Sequence, residues 1–201
     1  MAGAIMSSTG QSWMTPPELV KAVLEVLGTI DLDPCASSGT GTVPAKIKYT
    51  GPKAWGGDGR DGLGTPWWGN DIKTVFVNPP YGRNDAHPEI LGGSRSTSIS
   101  DWLAVAAEAS LHGVEVICLV PAATETRAWE RNVWPTANSI CFLRARPRFW
   151  QRLADGTLAP AKSCITRSIA AIYWGPNSTK FNEVFKKLGV CILGGNEPRV
   201  V

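Results

Sequence analysis

Apolar residues in this chain switch repeatedly between the three-and-four spacing of a helix and the short continuous runs of a buried strand, a pattern that restricts the fold to α/β. Leu19, Val20, Val23, Leu24 and Leu27 recur at helical spacing. Thr15 is expected as the N-cap of that helix, Pro16 as its first helical residue and Gly28 as its end. Strands are predicted over 30–33, 47–49, 75–77, 114–120, 139–143, 169–174 and 190–193, and further helices over 101–111, 126–133 and 181–188. Asp155-Gly156, inside 151–158, signals a hairpin between the aromatic segment before it and the strand at 169–174. The alternation describes a mostly parallel central sheet with an antiparallel strand near the C-terminus. Sheets of this kind bind ligands beyond the carboxyl ends of their strands.

The 201 residues are read as a single domain over 1–201, with 1–12 expected to be flexible and 82–99 and 144–165 expected as loop or hairpin insertions. Apolar runs fall well short of the roughly 20 residues that a membrane helix needs. The first residues show no basic and apolar leader pattern, so a cytoplasmic location is expected. Cys35, Cys118, Cys141, Cys164 and Cys191 are widely spaced with no C-x-x-C pair and read as buried free thiols. His87 and His112 stand far apart, so no metal site is expected. The net charge is only +3, yet residues 1–100 carry eight basic and nine acidic side chains whereas 101–201 carry twelve and eight. Arg144, Arg146, Arg148 and Arg152 crowd around Phe149 and Trp150, a pattern suited to a polyanion. Nine tryptophans could fill a core or stack on nucleobases, and composition does not choose between them.

The sequence most loaded with chemistry is Asn78-Pro79-Pro80-Tyr81, placed where the third predicted strand ends. At ordinary residue usage, this tetrapeptide arises by chance in a chain of this length on the order of one time in a thousand. Two prolines could simply make a rigid turn. A functional reading explains all four residues. The amine of adenine or cytosine is a poor nucleophile because its lone pair is delocalised into the ring. The Asn78 side-chain carbonyl and the Pro79 backbone carbonyl can each accept one amine hydrogen, relocalising that pair as it attacks an activated methyl. Pro80 keeps the backbone carbonyl turned outward, and Tyr81 offers a ring face to a base that has left its helix. No strong base is required, because the amine proton becomes acidic only after methylation, and positioning carries most of the barrier reduction. Taken alone, the motif serves cytosine N4, an RNA base or a protein glutamine amide as well as adenine, and a non-catalytic nucleic-acid-binding protein could retain it.

These residues resemble the small phage-type DNA N6-adenine methyltransferases, the phage Dam family. The resemblance runs from Trp13-Met14-Thr15-Pro16-Pro17-Glu18-Leu19 through Leu32-Asp33-Pro34-Cys35-Ala36, Tyr49, Asp61-Gly62-Leu63 and Trp67 or Trp68 to Val75-Phe76-Val77-Asn78-Pro79-Pro80-Tyr81-Gly82. Trp102, Leu119-Val120-Pro121-Ala122, Thr126 with Trp129, Arg146-Pro147-Arg148-Phe149 and Ser168-Ile169-Ala170-Ala171-Ile172 continue it. It implies a Rossmann-like methyltransferase fold, S-adenosylmethionine as donor and a flipped adenine in double-stranded DNA as acceptor. By the same resemblance Trp13, Thr15, Pro16, Asp33, Pro34, Ala36, Asp61 and Asn78 face the cofactor. The amides at the first helix start would suit its carboxylate, and Asp33, ending a strand, its ammonium group. Cys35-Ala36-Ser37-Ser38 stands where related enzymes carry a compact glycine loop, so Gly39 and Gly41 weigh less than Asp33, Pro34 and Ala36. Asp58 reads as a turn residue. Arg127, Arg146, Arg148, Phe149 and Trp150 are the expected DNA contacts, with Trp129 a weaker one, and Arg144, Arg146 and Arg148 are expected to share one face of an extended strand.

Overall fold

The computed structural model describes residues 13–36, 41–51, 58–69, 71–81, 98–162 and 166–194. The expectations for 1–12, for most of 82–99 and for Gly39, His87 and Cys164 lie outside the described residues. In chain order the elements are α1 (Pro17–Leu27), β1 (Leu32–Asp33), β2 (Ile47–Lys48), β3 (Thr74–Val77), α2 (Ile99–Leu111), β4 (Glu115–Pro121), α3 (Arg127–Asn132), β5 (Ser139–Leu143), β6 (Trp150–Arg152), β7 (Leu158–Pro160), β8 (Ile169–Trp174), α4 (Ser178–Phe185) and β9 (Gly189–Leu193).

Seven strands form one sheet in the order β2-β1-β3-β4-β8-β5-β9. β2, β1, β3 and β4 pair in parallel, while β8 and β9 each run antiparallel to their neighbours. The expected mixed α/β sheet is therefore present, with two antiparallel strands rather than one. β8 enters the sheet between β4 and β5 instead of completing a hairpin with the aromatic segment. The hairpin signalled by Asp155-Gly156 joins β6 to β7, with Gly156 at φ 85° in its turn.

β4 shows why these residues make a central strand. Val116, Cys118 and Val120 enter the core on one face and Ile117 and Leu119 the core on the other, as a period of two requires of a strand covered on both sides. Over the first face lie α2, through Trp102, Leu103, Ala106 and Ala109, and Trp129 of α3. Over the second lie α1 and α4. Four of the tryptophans, Trp67, Trp102, Trp129 and Trp174, are buried, so core filling claims much of the excess aromatic content. Burying each such ring contributes on the order of 2–3 kcal/mol. Among the described residues no helix is long and apolar enough to cross a membrane.

At the start of α1 the expected cap is shifted by one residue. Pro16 is the N-cap, with ψ 140°, and Pro17 opens the helix. A residue that precedes proline is pushed out of the helical region, so the first of two successive prolines stays extended and the second takes the first helical position. Thr15 is left outside the helix, buried, with its backbone carbonyl accepting from Thr42 Oγ1 at 2.7 Å. Gly28 ends the element as expected, at φ 77° with its N–H on the Leu24 carbonyl.

Candidate active site

β1 and β3 lie side by side in parallel, with Leu32 in register with Val75, so Asp33-Pro34 and Asn78-Pro79 leave the sheet at the same edge. The chain passes from β1 to β2 on one side and then crosses to β3 on the other, which makes the crevice between β1 and β3 a topological switch point. An open pocket lies there, walled by Trp13, Met14 and Thr15, by Asp33, Cys35 and Ala36, by Gly41, Thr42 and Val43, and by Lys48 and Asn78. Five of the residues expected to face a cofactor, Trp13, Thr15, Asp33, Ala36 and Asn78, meet in it. Pro16, Pro34 and Asp61 do not line it. Gly41, expected to weigh less, does. Thr42, Val43 and Lys48 carry no motif in the sequence that would have marked them, and Met14 lies inside the block around Trp13 and Thr15 without a role of its own there.

Asp33 dominates the chemistry of this pocket. It is buried, with its Oδ1 accepting the Cys35 N–H at 3.1 Å, and burial drives its pKa from 3.8 up to about 6 against the opposing pull of that hydrogen bond and of the Lys48 charge. Among the described residues no cation stands within salt-bridge distance of it. Its neighbour Asp31 differs. Burial there is outweighed by Lys46 Nζ at 2.8 Å and by the N–H groups of Lys73 and Thr74, so its pKa falls, and the carboxylate ties β1 to β3 at the edge opposite the pocket.

Asp61 departs from expectation. Its Oδ2 accepts the Gly64 N–H at 2.9 Å and its carbonyl the Thr65 N–H, so the carboxylate closes a turn and does not reach the pocket. The block matters through Gly62, because a Cβ there would stand 2.0 Å from the Pro34 carbonyl oxygen. Only glycine lets this turn press against the loop that follows Asp33. Asp58 is a turn residue as read, paired with Arg60, accepting the Thr50 N–H at 3.0 Å and held at a pKa of about 2 by these donors despite the opposing effect of burial.

In the Asn-Pro-Pro-Tyr segment, Pro79 is buried and Pro80 exposed. Tyr81 Oη donates to Asn78 Oδ1 at 2.9 Å, and burial, with Cys118 and Cys35 nearby, pushes the phenol pKa well up, so it remains a donor. One lone pair of Oδ1 is engaged, and among the described residues no second donor reaches the other. The Tyr81 ring meets Phe149 edge to face at 6.1 Å and 82°. Tyr81 thus holds the Asn78 carboxamide in place, a role its sequence position did not announce. Cys35 and Cys118 keep their protons because burial raises both thiols, and neither is a poised nucleophile. Cys35, Cys118, Cys141 and Cys191 are free, but only Cys118 and Cys141 are buried as expected, Cys35 and Cys191 being half-buried, and among the described residues no group of three or more His, Cys, Asp or Glu could hold a metal ion.

β5 runs in the same direction as β4, so the arginine-rich segment that follows it also leaves the sheet at the pocket edge. Residues 144–149 are irregular rather than a strand, yet Arg146 and Arg148 are exposed between buried Pro147 and Phe149. Phe149 is 1% exposed. That corrects its assignment as a DNA contact, since the ring is spent on Tyr81. Trp129 is corrected likewise, being buried with its Nε1–H on the Pro121 carbonyl at 3.2 Å. Arg127 is exposed and Trp150 half-buried. Trp150 exchanges both backbone hydrogen bonds with Met14, at 2.8 and 2.9 Å, joining this segment to the pocket wall.

No match to the chain is found among curated proteins or among solved structures. A family model described as DNA N-6-adenine-methyltransferase (Dam) matches residues 3–174, a span that takes in the pocket, Asn78-Pro79-Pro80-Tyr81 and the arginine segment. With that match over most of its length, the chain belongs to the Dam family of DNA N-6-adenine-methyltransferases.

Proposed function

We propose that the pocket holds S-adenosylmethionine, that the sheet is a Rossmann-like methyltransferase fold, and that the target adenine leaves the duplex to reach Asn78. One observation carries the reading: Asp33 and Asn78, on adjacent strand ends, wall the same pocket. A buried carboxylate with no cation at salt-bridge distance among the described residues matches the ammonium group of an amino acid, and the donor set of the pocket fits the cofactor. When bound, S-adenosylmethionine supplies a methyl group on a positively charged sulfur. Asn78 Oδ1, oriented by Tyr81 Oη, accepts one N6 hydrogen through its free lone pair, and the Pro79 carbonyl accepts the other. These acceptors draw the nitrogen out of conjugation and aim its electron pair along the line of attack. Formation of the N–C bond would break the bond from the methyl to sulfur, whose electron pair stays on the sulfur, and the surplus N6 proton, now acidic, leaves to water without a dedicated base. Arg127, Arg146 and Arg148 contact phosphates around the mouth, and Trp150 lies beside them. Asn78→Ala tests this assignment. It should lower methyl transfer from labelled donor to DNA by at least about a hundredfold, as expected for loss of a preorganised donor or acceptor, a far larger loss than any in calorimetric cofactor affinity. Undiminished transfer refutes the role given to Asn78.

A further inference from the structure

The helix-start site expected for the carboxylate of the cofactor is poorly equipped to hold it. Pro16 and Pro17 carry no N–H, and the Leu19 N–H is already bonded to the Pro16 carbonyl at 3.0 Å. Of the first turn, only the Glu18 N–H is left, beside the Glu18 side chain, whose negative charge opposes a second carboxylate. The pocket has another cation. Lys48 lines it, is half-buried, and stands in parallel register with Asp33 across the β1–β2 pair, so both side chains leave the same face of the sheet at the same edge. The charge of Lys48 is felt at the Asp33 carboxylate, yet no salt bridge within 4 Å engages Lys48 among the described residues. One anion and one cation at neighbouring strand ends, not collapsed onto each other, complement the charges of an amino-acid zwitterion.

We infer that Lys48 binds the carboxylate of the cofactor's amino-acid end while Asp33 binds the ammonium group, the pair forming a zwitterion clamp on adjacent strands. The inference rests on the cofactor reading above and adds to it the residue that recognises the carboxylate. A long, partly exposed side chain can lose its charge without disturbing the core, so Lys48→Gln is a test that keeps the fold, and thermal melting of the variant verifies this. Calorimetric titration with S-adenosylmethionine and with its decarboxylated analogue separates the possibilities. Removing a charged hydrogen-bond partner should weaken S-adenosylmethionine binding by at least about tenfold in Lys48→Gln, while the decarboxylated analogue should bind parent and variant alike. Lys48→Arg should restore most of the affinity. If Lys48→Gln binds S-adenosylmethionine as tightly as the parent, or loses the analogue to the same extent, the clamp is refuted while the cofactor reading stands. If the parent binds neither compound, the cofactor reading itself fails, and the clamp with it.

Discussion

Asp33→Asn separates what the pocket does for binding from what it does to stability. In the folded chain the carboxyl titrates near 6, against 3.8 for the free side chain, because burial disfavours the anion. The unfolded chain gives up its proton at the lower value. Between pH 3.8 and 6 the folded state therefore holds a proton that the unfolded state has lost, and stability rises as pH falls through that window. Above pH 6 the buried anion destabilises the fold in full. A difference of about two pKa units at 1.36 kcal/mol each corresponds to about 3 kcal/mol. Asparagine removes the charge and keeps an oxygen for the Cys35 N–H. Urea denaturation at pH 8 should show Asp33→Asn more stable than the parent by up to about 3 kcal/mol. That advantage should shrink towards zero at about pH 4, where the parent carboxyl is protonated in the folded state. Cofactor affinity should fall in the same variant at pH 8. A variant less stable than the parent at pH 8, or a difference that does not change with pH, refutes the reasoning, for the carboxylate would then be a structural partner rather than a strained anion kept for a ligand.

Two other substitutions probe the surroundings of the pocket. Arg148→Ala, at an exposed position beside buried Phe149, should weaken DNA binding about uniformly across sequences and reduce the salt slope of log Kd by about one; an unchanged slope would mean that this arginine meets no phosphate. Gly62→Ala places a Cβ on the Pro34 carbonyl oxygen. The backbone must shift, at a cost of about 2 kcal/mol or more, and a thermal melt should show a drop of roughly 4–8 °C, accompanied by weaker cofactor binding as the loop after Asp33 moves. A melting temperature equal to that of the parent would show that the two loops can separate freely.

How far the sequence foretold these features depends on whether a local signal existed. The strands over 139–143 and 169–174 coincide with β5 and β8, because long apolar runs between turn residues constrain an element whatever lies around it. Asp33 and Asn78 were legible as strand-end residues beside prolines. Lys48 was not, because a lysine in a two-residue strand has no period to betray its direction and acquires meaning only through its register with Asp33. The place of β8 between β4 and β5 follows from tertiary pairing that no local spacing encodes. Phe149 and Trp129, flanked by arginines in the sequence, looked like surfaces for bases. Alternation explains the difference: Arg146 and Arg148 stay in solvent because Pro147 and Phe149 turn inward, so the same pattern that exposes the charges buries the ring. Thr15 lost its capping role to a second proline, a contest decided by backbone sterics over two residues.

The paired hydrogen bonds between Met14 and Trp150 stitch one of the first described residues to one more than a hundred positions later. Trimming the chain back past Met14 would remove more than a strip of pocket wall: it would also unfasten the backbone next to Phe149, the ring against Tyr81 and, through that tyrosine, the carboxamide of Asn78. The segment at Met14 is a hasp, and the pocket wall, the paired rings of Phe149 and Tyr81 and the Asn78 carboxamide all hang from it.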